Sequence, residues 1–62
     1  MEMLLNYWYK ITYSDGSVKI FRFLGQNENG RLLFALYNGD IVENLLDFSY
    51  SNLQEIGLER PD

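Results

Sequence analysis

The stretch Tyr7-Trp8-Tyr9-Lys10-Ile11-Thr12-Tyr13-Ser14-Asp15-Gly16-Ser17-Val18-Lys19-Ile20-Phe21-Arg22-Phe23-Leu24 decides the fold class. Two runs of aromatic and β-branched residues, the composition of strands, flank one Asp-Gly dipeptide. Aspartate and glycine tolerate the positive φ that a tight hairpin turn demands. The arrangement predicts an antiparallel hairpin. Asn29-Gly30 and Asn38-Gly39 repeat the signal downstream, so the same reasoning extends to strands from Tyr7 to Tyr13, Val18 to Leu24, Arg31 to Tyr37 and Ile41 to Leu45. Short links between successive strands impose sequential antiparallel pairing, which is a β-meander.

If Asp15-Gly16 is a two-residue turn, Tyr13 faces Val18, Ile11 faces Ile20, Tyr9 faces Arg22 and Tyr7 faces Leu24. Trp8, Phe21 and Phe23 then share the other face with Lys10, Thr12 and Lys19. The same rule at Asn38-Gly39 pairs Leu36 with Ile41, Phe34 with Glu43 and Leu32 with Leu45. Both faces of the sheet come out substantially apolar. An antiparallel sheet with one wet face would alternate cleanly between apolar and polar residues. Closure into a small barrel buries both faces, as does pairing with a second copy. On this register Ile20 and Leu33 are core positions, intolerant of a charge.

Toward the end, Ser51-Asn52-Leu53-Gln54 has the form of a capping box, and Gly57 suits the close of a helical turn. Residues 53–58 also alternate as a short fifth strand would. These patterns predict an all-β chain: an antiparallel meander of four to five strands closing into a barrel, with a short 3₁₀ or helical turn near the C-terminus. This plan of strand lengths and turns over residues 7–58 resembles the SH3-like barrel. The resemblance is architectural and implies no functional residues.

The 62 residues form one domain, with an ordered core over residues 6–58 and a frayed tail over 59–62. Such a chain keeps about 40% of its unfolded surface exposed after folding, so its stability is marginal and homodimerisation would add to it. Residues near the start include an acid, Glu2, and only a short apolar run, unlike a secretory signal. No stretch reaches the length of a membrane span. A cytoplasmic location without membrane association is the default expectation.

Chemistry is constrained by what is missing. The sequence has neither cysteine nor histidine, which excludes thiolate zinc sites, cysteine nucleophiles and histidine triads. The expectation is a protein that is not an enzyme and uses no cofactor. Glu43, beside Phe34 in this register, is the acid most sensitive to its surroundings, yet a charge on a strand edge also blocks sheet-to-sheet aggregation. Asp15 and Asp40 belong to turns. Asp40, Glu43 and Asp47 lack the spacing of an EF-hand loop, so no metal is expected.

Two surface features remain. Trp8, Phe21 and Phe23 suggest an aromatic docking groove, with a packed core as the alternative use of the same rings. Charge is lopsided. Residues 1–31 carry four basic and three acidic side chains, whereas residues 32–62 carry Arg60 alone against six acids. The acidic half, including Asp40, Glu43 and Asp47, would attract a protein partner with a basic surface. The leading expectation is a small protein-interaction module: an accessory subunit, an adaptor, or an acidic inhibitor of a larger protein such as a nucleic-acid-handling enzyme. The alternative is single-stranded nucleic acid, stacked on Trp8 and Phe21 with Lys10, Lys19 and Arg22 on its phosphates. A net charge of −4 disfavours that alternative.

Overall fold

A computed structural model describes residues 2–62. Its five strands are β1 (Trp8–Tyr13), β2 (Val18–Gln26), β3 (Leu32–Leu36), β4 (Ile41–Val42) and β5 (Tyr50–Gly57). They form one antiparallel sheet in the order β4-β3-β2-β1-β5. The meander is thus present, and the ambiguous C-terminal segment is a strand that returns to pair with β1 rather than a helical turn. No helix of the described residues is long and apolar enough to cross a membrane.

All three hairpins use loops of three residues, not two. The Tyr13 amide donates to the Ser17 carbonyl at 2.8 Å and the Gly16 amide to the Tyr13 carbonyl at 2.9 Å. The same pair of bonds recurs from Asn27 to Arg31 and from Leu36 to Asp40. This is the three-residue hairpin closed by a left-handed glycine, here with φ of +91° at Gly16 and +98° at Gly39. A two-residue type I′ turn, the primed turn that takes Asp-Gly or Asn-Gly, needs positive φ at both positions, whereas this loop needs it only at glycine. Asp15 and Asn38 therefore keep ordinary backbones and use their side chains as acceptors, Oδ1 receiving the amides of Ser17 and Asp40 at 2.9 Å each.

One extra loop residue slips each register by one and reverses a strand's faces. Tyr9 pairs with Phe21, Ile11 with Lys19 and Trp8 with Arg22, in place of the expected Ile11–Ile20 and Tyr9–Arg22. Phe34 pairs with Val42 and Ala35 with Ile41. The core consequently consists of Tyr9, Ile11, Tyr13, Phe21, Phe34 and Leu45, and neither Ile20 nor Leu33 belongs to it. Phe21 anchors the cluster: Phe34 meets it edge-on with centroids 5.0 Å apart, and Tyr9 stacks on it at 5.7 Å.

The sheet is open and does not close into a barrel. β4 is only two residues long and pairs with β3 alone, and β5 pairs with β1 alone, so no ladder joins the two edges. Bulges in β5 at both ends of its pairing with β1 further break its regularity. Loops cover the two faces instead. Leu45 and Leu46, expected partly in the fourth strand, leave it after Val42 and cover the core face, joined by Met3 and Tyr7. Arg60 and Pro61, expected to fray, lie across the other face against Trp8 and Tyr37.

Two outcomes check this register. Phe34→Ala should cost about 3–5 kcal/mol in chemical denaturation and Ile20→Ala distinctly less; the opposite order would overturn the face assignment. Open space surrounds the Cβ position of Gly39, so Gly39→Val should cost about 1–3 kcal/mol through backbone strain alone, with Gly39→Asn milder.

Candidate docking surface

Where the β1–β2 loop approaches the chain after β4, the core face opens into an apolar bowl of about 560 Å³. Its walls are Tyr13, Leu36, Val42, Leu45 and Phe48, and its rim carries Asp15, Lys19 and Asn44. Strand alternation places Tyr13 here, the last core-facing residue of β1. The Phe48 ring stands edge-on to that of Tyr13, with centroids 6.4 Å apart, and is 62% exposed. A large apolar ring held beside an open apolar hollow is a typical docking element.

Tyr13 is the structural post of this site. Its hydroxyl donates to the Leu45 carbonyl at 2.6 Å in a buried setting, tying the segment after β4 to β1 across the bowl floor. Burial pushes its phenol above the ordinary tyrosine range. On the rim, Asp15 Oδ1 accepts from the Ser17 hydroxyl at 2.7 Å as well as from the Ser17 amide. Those bonds hold its carboxyl below the usual aspartate value, and it is fully charged at neutral pH.

The residues singled out from the sequence do not meet as expected. Trp8 lies on the face opposite Phe21 and Phe23, so the three form no groove. Phe21 is fully buried and offers no plane for a base to stack on. Trp8, Lys10 and Arg22 share the outer face, whereas Lys19 lies on the core side at the rim of the bowl. The aromatic and basic stripe expected for single-stranded nucleic acid is therefore divided between two faces. The one-residue slip explains this too, because it moved β2 relative to β1.

The acids serve local structure. Asp40 closes its own loop with Asn38, which donates from Nδ2 at 3.2 Å. Glu43 accepts from Asn27 Nδ2 at 2.9 Å, and Asp47 accepts from Arg31 Nη2 at 3.3 Å. These two links tie the β2–β3 loop to the chain beyond β4. The Arg31–Asp47 pair is half-exposed on both sides, so it contributes at most about 1 kcal/mol. Among the described residues, no three acidic side chains come together as a metal site.

Phe48 and Arg60 escaped the sequence reading. Phe48 did carry a signal, a large aromatic between the polar residues Asp47 and Ser49 just ahead of β5. No protein-family model matches the chain, and neither a curated protein nor a solved structure matches it.

Tyr13→Phe should cost about 1–3 kcal/mol, because the Leu45 carbonyl is left buried without its donor. A phenol whose pKa is raised by folding contributes stability that is complete below the ordinary tyrosine range and is lost as pH rises through the raised value. The variant should accordingly show a flatter alkaline stability limb above about pH 10 in urea titrations.

Proposed function

We propose that the protein is a small, non-catalytic protein-interaction module that receives an apolar side chain of its partner in the bowl between Tyr13 and Phe48. The observation that carries this reading is the exposed Phe48 ring standing over an open apolar hollow. Burying such a ring against a partner releases apolar surface from water, and an aromatic at the centre of a patch is where binding energy concentrates. Asp15 and Lys19 on the rim give the contact an orientation through charges of opposite sign.

The partner carries a basic surface. Residues 32–62 have a net charge of −5, which steers basic surfaces toward the half of the chain that supplies Phe48. An accessory subunit, an adaptor or an acidic inhibitor of a larger protein, including one that handles nucleic acid, fits this combination. Catalysis has less support: the rim acid Asp15 is fully solvated, and its carboxylate is engaged by Ser17.

The test is a binding measurement with a purified partner, first identified by capture on immobilised wild-type protein. Phe48→Ser should weaken the complex about thirtyfold or more, the effect of losing a 2 kcal/mol anchor. Thermal melting should barely change, because the ring is largely exposed. Affinity should also fall with added salt. Full binding by the Phe48→Ser protein would defeat the proposal, as would a homodimer that buries Phe48 in sedimentation equilibrium.

A further inference from the structure

The outer face of the sheet holds Trp8 almost fully buried, yet outside the Tyr9–Phe21–Phe34 cluster. Tyr37 meets it edge-on, with centroids 6.2 Å apart. Over this pair lies the guanidinium of Arg60, 4.2 Å from the Tyr37 ring centre and 5.8 Å from that of Trp8. Two hydrogen bonds set the path of the chain: Arg60 Nη2 donates to the Tyr37 carbonyl at 2.8 Å, and the Tyr37 hydroxyl donates to the Pro61 carbonyl at 2.8 Å. The guanidinium and the proline carbonyl are each recognised by a separate group.

Arg60, Pro61 and Asp62 lie on this face, and residues 58–62 contain no strand or helix. They are held by side chains in the manner of a bound peptide. A planar, weakly hydrated guanidinium is the cation best suited to two converging rings. Lys10 and Arg22 share the face with Trp8, so a lone arginine would meet two like charges. Glu59 and Asp62 flank the Arg60-Pro61 pair in the sequence and give residues 59–62 a net charge of −1. Next to Asp62 the face continues as an open hollow of about 390 Å³ bounded by Val18, Ile20 and Tyr37, leaving room for further peptide along the same line.

We propose that the Trp8–Tyr37 face is a peptide-binding site for an arginine-proline pair flanked by acidic residues, and that residues 59–62 occupy it in cis and hold it closed. A tethered segment acts at an effective concentration in the millimolar range, so it excludes free ligands of comparable affinity. A partner peptide gains entry by binding better than this segment or when the segment is displaced. The site is on the sheet face opposite the Phe48 bowl and stands independently of it.

Trp8 is the sole tryptophan, so its fluorescence reads the site directly. In Arg60→Ala, emission should shift to the red and acrylamide should quench it more readily. A blocked peptide of residues 58–62 should reverse the shift and bind this variant at least about tenfold more tightly than wild type, since the tethered competitor is weakened. The same peptide with citrulline in place of arginine should fail. Adding Tyr37→Leu to Arg60→Ala should abolish binding, and Arg60→Gln should reproduce the opening if Arg60→Ala folds poorly. Equal affinity of wild type and variant for the peptide, unaltered Trp8 emission, or equal binding of the citrulline peptide would each overturn the proposal.

Discussion

Three hairpin loops, each of three residues and each closed by a glycine in the left-handed conformation, set the register from which the rest of this molecule follows. In a pleated strand, neighbouring side chains point to opposite faces, so one residue of loop length decides which half of a strand is buried. The loop at Gly16 puts Phe21, not Ile20, opposite Tyr9. Phe21 then stacks with Tyr9 and meets Phe34 edge-on. A two-residue loop would send Phe21 to the outer face and leave Tyr9 against Arg22.

A sheet that is apolar on both faces has to cover both, and this one does so without closing. On the core face, Leu45 and Leu46 fold inward after a two-residue β4, secured by the Tyr13 hydroxyl. On the outer face, Arg60 and Pro61 lie over Trp8 and Tyr37. Loop coverage is less complete than a barrel wall would be. Phe48 protrudes beside a hollow at one place, and the Val18–Ile20–Tyr37 hollow stays open at the other. The Phe48 surface is a consequence of this incomplete coverage, the Trp8–Tyr37 site of the segment that supplies coverage on the other face, and the two lie on opposite sides of one sheet.

The charges act differently from how their distribution along the chain suggests. Glu43 and Asp47 clamp one loop to another through Asn27 and Arg31, and Asp40 shapes its own turn. All these contacts are exposed, so each is individually weak. The acidic character of the second half remains as a long-range field, whereas its individual members are spent on loop geometry.

The existence and antiparallel order of the first four strands and the apolar character of both faces were determined by the sequence alone, because aromatic and β-branched runs separated by Asp-Gly and Asn-Gly dipeptides have few other solutions. The fifth strand and its place beside β1 were not so determined. The centres of β1, β2 and β3 were legible from those same runs, whereas the fourth strand, expected from Ile41 to Leu45, ends at Val42. Which face each residue takes was decided only in three dimensions. Asp-Gly serves two-residue and three-residue loops alike, and the choice depends on burying Tyr9, Phe21 and Phe34 together. The groove imagined from Trp8, Phe21 and Phe23 dissolved for that reason. The surfaces formed by Phe48 with Tyr13 and by Arg60 with Trp8 and Tyr37 join residues far apart in the chain, and no local pattern specifies such encounters; they arise when loops fold back over a sheet that has two faces to keep from water.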